Sequence, residues 1–443
     1  MTTTIGWGAG HRIELREEQR FPDSLGLLYS ALTAFCGFEV NEGEYKLMGL
    51  APYGSPTYRD VLLDRVVHLG EQGEVRLDQR WFDYQSGRAM VRPRLAELLD
   101  GPARQPDQPL TQREADIARS IQEVLEDAVL RIARHAHQLT GERAACLAGG
   151  VALNCVANAR LREDGPFEEL WVQPAAGDDG SAIGAALWTW HQILDEPRRA
   201  AAGDRMAGAS LGPRYGSDEI ATWLRDEGIP FRELDDDEQL CDATADALAD
   251  GRIVGWLQGR MEFGPRALGH RSILADPRDP AMASRLNQAV KRREGFRPFA
   301  PAVPVEAAGD WFLHAGASPY MLFTTQVASY DEAAEAPPDA GFAERLAVAR
   351  SAIPACTHVD GSARVQTVEA ATDPLFHRLL ERFGERTGCP VLVNTSFNRR
   401  DEPIVRSPAD AFRCFSDTDI DLLVMERCIV DKSQLSEEQA PCS

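Results

Sequence analysis

The sequence predicts an α/β protein built from two domains, and two observations carry that reading. Between Ala144 and His191 strand-like and helix-like segments alternate: an apolar run over 144–148, a Gly149-Gly150 turn, a helix over 154–162, a strand at Glu169–Val172, a Gly177-Asp-Asp-Gly180 turn and a helix from Ser181. Such alternation predicts a largely parallel sheet with ligands gathered at the carboxyl ends of the strands. Beyond Leu194 the composition turns to loop, with Asp-Glu-Pro-Arg-Arg followed by Gly-Pro-Arg-Tyr-Gly, which separates a first domain at 1–205 from a second at 217–435. A chain of 443 residues, 44% hydrophobic, is long enough to bury a core in each.

The other elements follow in order. Thr2 to Trp7 alternates like a strand, Gly8-Ala-Gly10 reads as a hairpin turn, and Arg12 to Glu17 alternates again. A helix is expected over 24–35. The run Glu44-Tyr-Lys-Leu-Met-Gly-Leu-Ala-Pro-Tyr-Gly54 is punctuated by Gly and Pro yet is too apolar for a free loop, so it is read as a ligand-facing loop. From Arg113 to Leu139 the residues Ile117, Ile121, Val124, Leu125, Ala128 and Ile132 recur at helical spacing and define one apolar face. His135 and His137 near its end stand i, i+2, which points them apart and argues against a metal pair. In the second domain, helices are expected over 218–227 and 237–250, then a buried strand at 253–257, a Pro- and acid-rich insertion near 330–340, a polar stretch at 358–367 and a strand leading into Asn394-Thr-Ser-Phe-Asn398.

Lys and Arg number 47 against 69 Asp and Glu, a formal charge of -22. That acidity argues against nucleic acid or an anionic membrane as a main partner. No apolar run is long enough for a membrane helix, and Met-Thr-Thr-Thr-Ile-Gly-Trp lacks the charged and apolar regions of a signal peptide, so a cytoplasmic protein is expected. Nine cysteines without a Cys-x-x-Cys pattern predict reduced, buried thiols, Cys146, Cys155, Cys414 and Cys428 among them.

Against this acidic background one stretch reverses sign. Arg260, Arg266, Arg271, Lys291, Arg292, Arg293 and Arg297 make a basic island. Such clusters often form a solvated face. Here Gly259, Gly264 and Gly269 with Pro265, Pro298 and Pro301 present the cations from turns. Guanidinium forks match phosphate oxygens and a lysine adds a point charge, so the island reads as a polyphosphate or acyl-phosphate site. Hydroxyls and amides at 394–398, on a strand end, suit the orientation of a phosphate or carbamoyl group. Two turns of the first domain add candidates. Gly149-Gly150 admits a ligand to the backbone before a helix whose amide end favours anions. Gly177-Asp178-Asp179-Gly180-Ser181 fits either an N-cap cluster or a ligand for a hard metal.

These motifs together resemble a known family. Gly43-Glu-Tyr-Lys-Leu-Met-Gly-Leu-Ala-Pro-Tyr-Gly, Gly149-Gly-Val-Ala-Leu-Asn, Gly177-Asp-Asp-Gly-Ser-Ala-Ile-Gly-Ala, Gly259-Arg-Met-Glu-Phe-Gly-Pro-Arg-Ala-Leu-Gly, Phe296-Arg-Pro-Phe-Ala-Pro and Asn394-Thr-Ser-Phe-Asn are similar, in order and over nearly the whole chain, to the O-carbamoyltransferases of antibiotic and nodulation-factor biosynthesis. The resemblance implies a partial actin/sugar-kinase-like (Kae1-like) domain at 1–205, followed by a YrdC-like α/β domain at 217–435. It also implies an activity: carbamoyl phosphate and ATP, with Mg2+, give carbamoyl-adenylate in the second domain, and the first passes the carbamoyl group to a hydroxyl of a small-molecule natural product. By resemblance Arg266, Lys291, Arg297, Arg364 and Ser396 form the catalytic set. Arg260, Glu262, Arg271, Asn394 and Asn398 stand with them as substrate or nucleotide contacts. Glu44, Lys46, Gly149, Gly150 and Asn154 match the nucleotide-binding elements of the Kae1-like domain, and Asp178 matches its ligand for Fe2+ or another divalent metal.

The family pattern also implies a long segment ahead of the hairpin, with a glycine-rich turn and a His-x-x-x-His pair, and no two of the nine histidines here stand i, i+4. The expectation is a half-open first domain whose exposed apolar surface favours a homodimer, or a partner that supplies the missing lobe. The alternative is a nucleotide-binding remnant that forms only carbamoyl-adenylate or serves as a scaffold.

Overall fold

The computed structural model describes residues 1–199, 203–313, 316–337, 339–400 and 402–436. They form two compact units, Met1–Ala202 and Gly203–Ser443.

The first unit opens on an antiparallel hairpin, Thr3–Ala9 against Arg12–Gln19. Helix Leu25–Phe35 begins at Ser24, whose hydroxyl accepts the Leu27 N–H at 3.2 Å and so satisfies one of the unpaired donors of the first turn. The stretch read as a ligand-facing loop is instead a short helix, Glu44–Leu50, continued by a tight turn at Ala51–Tyr53. Its apolar residues serve the core: Leu47 and Leu50, three apart on one face, are fully buried. Pro52 sits in the first turn of that tight helix, where a missing N–H costs nothing.

Helix Gln112–Thr140 is the spine of this unit. Glu114 accepts from the Thr111 backbone at 2.9 Å and hydroxyl at 2.6 Å to start it, and Gly141 in a left-handed conformation stops it. Helices Leu25–Phe35, Glu44–Leu50, Arg59–Arg65 and Cys155–Asp164 pack around it. The predicted apolar stripe is the reason: Ile117, Ile121 and Val124 are fully buried and Leu125 nearly so, each such side chain contributing about 1.5–3 kcal/mol by leaving water. Strands Ala144–Leu147 and Glu169–Val172 pair in parallel, as the alternation predicts. They form a sheet of two strands, so a face stays open and Cys146 is exposed, contrary to the expectation of a buried thiol. The other described cysteines are buried. Helix Ser181–Trp188 is apolar yet has no buried residue, and Leu187, Trp188, Trp190 and Ile193 lie open to solvent.

The second unit is organised by an eight-stranded mixed sheet. Its order runs Gln366–Val368, Ala300–Pro304, Leu392–Ser396, Arg271–Ala275, Val254–Leu257, Leu422–Met425, Cys428–Asp431 and Arg232–Glu233. Two neighbouring pairs are parallel, Ala300–Pro304 with Gln366–Val368 and Leu422–Met425 with Val254–Leu257; the rest are antiparallel. Helices cover both faces. Asp237–Ala249 and Pro374–Thr387 lie against each other over the face that carries Val254, Trp256, Leu274 and Leu392, while Ser217–Asp226 and Pro408–Ser416 help close the face that carries Leu257, Ile273 and Val393. Covered on both sides, its central strands are continuously buried. No helix among the described residues is long and apolar enough to cross a membrane.

Gly269 is where the loop after Val254–Leu257 returns to the sheet. Its φ is +114° and a Cβ there would stand 2.5 Å from the Phe376 ring. Gly269→Ala is therefore expected to destabilise the second unit by about 2–5 kcal/mol through backbone strain and overpacking, read as a lower denaturant midpoint with an unchanged slope.

Candidate functional site

Arg260 and Arg266 of the basic island lie on one loop, and Arg271 begins the strand that follows it. Strand Val254–Leu257 leads into residues 258–270, and strand Arg271–Ala275 brings the chain back antiparallel to it. Along the return the backbone is bonded almost group by group to side chains. Glu262 Oε1 accepts the N–H groups of Leu268, His270 and Arg271 at 2.6, 3.0 and 3.3 Å. Gly269 donates to Ser272 Oγ at 3.0 Å, and its carbonyl accepts from the Trp256 indole at 2.8 Å. The Leu268 carbonyl accepts from the Gln366 amide at 2.6 Å, and Gln366 Oε1 accepts from Asn394 at 2.7 Å.

Arg271 is fully buried. Its guanidinium donates to the carbonyls of Gln258 at 2.9 Å, His270 at 3.0 Å, Pro213 at 3.2 Å and Arg406 at 3.3 Å. Burial lowers its pKa, while Glu262 and Glu426 act in the opposite direction. Arg271 and Glu262, grouped by the sequence with the ligand contacts, are thus tied to backbone groups inside the protein, and Asn394 is tied to the Gln366 side chain, while Glu262 Oε2 and Asn394 Oδ1 stay buried without a hydrogen-bond partner.

A second set of residues is turned toward one another at the end of strand Leu392–Ser396. Lys291 follows the helical segment Met282–Val290 and is 4% exposed. Its Nζ donates to Asn398 Oδ1 at 2.8 Å, the Asn398 carbonyl at 3.0 Å and Ser396 Oγ at 3.2 Å, and also to the Ser396 carbonyl. Burial holds the Lys291 ammonium well below its usual range, and the charges of Arg293 and Arg297 push the same way. Asn287 fixes those arginines: it accepts from Arg293 Nε at 2.6 Å and donates to the Arg297 carbonyl at 3.0 Å. Lys291, Ser396, Asn398 and Arg297 therefore come together as the sequence reading groups them. Arg266 lies half-buried on the loop that Gln366 and Glu262 hold. Arg364 is half-buried on strand Ser362–Arg364, with a buried Nε that has no hydrogen-bond partner. Arg260 is exposed and donates to the Gly212 carbonyl at 3.0 Å. Concentrated positive charge beside fixed donors suits a phosphate or an anionic transition state.

In the first unit the Gly149-Gly150 turn is open, with nothing within 4 Å of a Cβ at either position and φ +99° at Gly149. Asn154 is 8% exposed and caps helix Cys155–Asp164 through Ala157 at 3.0 Å, while exchanging hydrogen bonds with Gln122. Glu44 accepts from the Ser30 hydroxyl and the Asn41 N–H, and Lys46 is half-buried on the same short helix. A cavity of about 560 Å³ is lined by Arg59, Arg119 and Arg160 and by Asp60, Glu123, Glu126 and Asp127. Arg59 and Arg160 pair with its carboxylates at 2.6 to 3.2 Å, so it offers no surplus positive charge to a phosphate.

Asp178 lies exposed in the turn Asp178–Gly180. The described residues bring no set of three metal-ligating groups around it; the one such set is Glu306, His377 and Glu381 in the second unit, whose ligand atoms all lie within 4.8 Å of one another. The described residues at Asp178 do not by themselves make up a divalent-metal site.

Because the Lys291 pKa is lowered, the amine loses its proton at a pH below the usual 10.5. An anion that settles beside it draws a proton on. If phosphate is that anion, its binding is expected to take up protons where the lysine titrates and to weaken as pH rises through that range, and Lys291→Met should remove the lysine's share of the coupling. Calorimetry in two buffers of different ionisation enthalpy reads the proton uptake.

Comparison with known proteins places this geometry. Residues 3–187 match the family described as Carbamoyltransferase N-terminus, and residues 245–432 match Carbamoyltransferase C-terminus. The chain is 50% identical over 435 residues to an uncharacterised protein of Synechocystis sp., covering 98% of this chain and 71% of that one. It is 38% identical over 439 residues to the nodulation protein NolNO of Sinorhizobium fredii, covering 97% of this chain and 59% of the relative. Over 267 residues it is 35% identical to the 3'-hydroxymethylcephem-O-carbamoyltransferase of Streptomyces clavuligerus, covering 60% of this chain and 44% of that enzyme. The basic loop, the clasped lysine and the strand end with its serine and asparagine all fall within the C-terminal match. The chain thus belongs to the carbamoyltransferase family of transferase enzymes.

Proposed function

We propose that the protein is an ATP-dependent O-carbamoyltransferase acting in the cytoplasm on a hydroxyl of a small-molecule natural product. The observation that carries this reading is the convergence of Lys291, Arg297, Ser396 and Asn398 in the second unit, with Arg266 and Arg364 as the further cations of the site. Carbamoyl phosphate, ATP and one water give carbamoyl-adenylate, phosphate and pyrophosphate. The cations neutralise the phosphate groups as charge moves onto the departing pyrophosphate, and Mg2+ brought in with the nucleotide would supply further positive charge there. The acceptor hydroxyl then attacks the carbamoyl carbon and AMP leaves. The Gly149-Gly150 turn, Glu44 and Lys46 are assigned to the nucleotide during transfer, and the cephem relative, named for a hydroxymethyl acceptor, supports a hydroxyl as the group carbamoylated.

A second reading is activation without transfer, supported by the placement of Lys291, Ser396 and Asn398 together within the second unit alone. The exposed apolar helix Ser181–Trp188 and the open two-stranded sheet support association of the first unit with a second copy or another polypeptide.

Purified protein with ATP, Mg2+ and carbamoyl phosphate, and no acceptor, is expected to release pyrophosphate and to yield carbamoyl-adenylate by mass spectrometry. Arg297→Ala should lower that rate at least a hundredfold, the scale of one fixed electrostatic donor, while leaving the unfolding midpoint unchanged. Pyrophosphate release that does not need carbamoyl phosphate would overturn the reading. Carbamoyl-adenylate that no hydroxyl acceptor consumes would favour activation alone.

A further inference from the structure

One buried side chain outside the basic island is bonded to the loop that carries Arg266. Gln366 is 4% exposed on the edge strand Gln366–Val368. In the sheet it is aligned with Ala302, and Asn394, two strands away, is aligned with Ala300. The strand between them carries alanine at both positions, so no bulk separates the two amides above it, and they meet: Asn394 donates to Gln366 Oε1 at 2.7 Å. The Leu268 carbonyl can only accept, so it takes the Gln366 amide N–H at 2.6 Å, and Asn394, by donating to the oxygen left at the other end, holds the Gln366 amide in that orientation. Leu268 is two residues from Arg266, and its N–H is held from the opposite side by Glu262 at 2.6 Å. The peptide groups on both sides of Leu268 are thus gripped, one through its carbonyl and one through its amide, by residues that are themselves buried.

We propose that Gln366, oriented by Asn394, is a positioning residue that sets the place of the Arg266 guanidinium through the Leu268 carbonyl, and so sets the affinity of the site for phosphate. The proposal rests on the reading of Arg266 as a phosphate contact. A misplaced guanidinium loses bidentate geometry even when its charge is kept, so the effect falls on anion binding and requires Arg266 to be present.

The test is a double-mutant cycle on phosphate binding, measured by calorimetry with inorganic phosphate on the full chain, with the unfolding midpoint of each variant recorded. Arg266→Ala is expected to weaken binding. Gln366→Met is expected to weaken it roughly tenfold, the scale of one charge-assisted hydrogen bond, and to have less than about a twofold further effect when Arg266 is already alanine. Gln366→Met that weakens binding equally in both backgrounds, or leaves it unchanged beside a weakening Arg266→Ala, overturns the positioning role while sparing the phosphate site. Arg266→Ala with undiminished affinity overturns the phosphate reading of Arg266, and the positioning proposal with it. Should Gln366→Met not fold, Gln366→Asn, polar but one methylene too short to reach Leu268, carries the same cycle.

Discussion

A buried charge with nowhere to go but the backbone holds the second unit's loop together. Arg271 has no solvent exposure, and its guanidinium is spent on carbonyls of residues 213, 258, 270 and 406. Glu262, almost as deeply buried, accepts three backbone donors on the same return, those of Leu268, His270 and Arg271. The two charges lie within electrostatic reach of each other. Removing Arg271 would strip Glu262 of that charge in a dry environment, whereas removing Glu262 would leave Arg271 with Glu426 alone. The loop is therefore held to one arrangement, with glycine where the backbone must turn against Phe376 and Arg266 half-buried before it.

That rigidity is what a phosphate site needs. A guanidinium on a mobile loop loses side-chain and backbone entropy each time it meets an anion, whereas one on a loop already tied to the sheet does not. The same logic holds at the end of strand Leu392–Ser396. Lys291 is kept in reach of Ser396 and Asn398 by four acceptors, and Asn287 clamps the arginines behind it. Burial first, and then the like charges of Arg293 and Arg297, hold the Lys291 pKa down. The polar cavity of the first unit instead balances its arginines against a larger number of carboxylates.

Much of this was legible in the residues. The helix at Gln112–Thr140, the parallel pair after it and the hairpin at the start follow from periodicity, because a stripe of apolar side chains or a strict alternation has one way to be buried. The grouping of Lys291, Arg297, Ser396 and Asn398 was legible from chemistry and resemblance. The segment Glu44–Leu50 was misread as loop because Gly and Pro punctuate it, and only its packing on the long helix shows Leu47 and Leu50 as core. Gln366 was missed for a different reason: a lone glutamine in a short strand carries no signal until Asn394 is seen beside it. Arg271 and Arg266, five apart in one motif, look alike on paper and differ in the fold, one buried in carbonyls and one half-buried on the loop.

By itself the sequence determined the elements, the two-part organisation and the family, since local periodicity and motif order are properties of the chain as written. Only the tertiary structure decided which polar residues of those motifs hold the protein and which are left to hold a ligand. That division depends on what each side chain meets across the sheet: Asn394 meets Gln366, Glu262 meets three backbone amides, and Lys291 meets the end of a strand more than a hundred residues away in the chain.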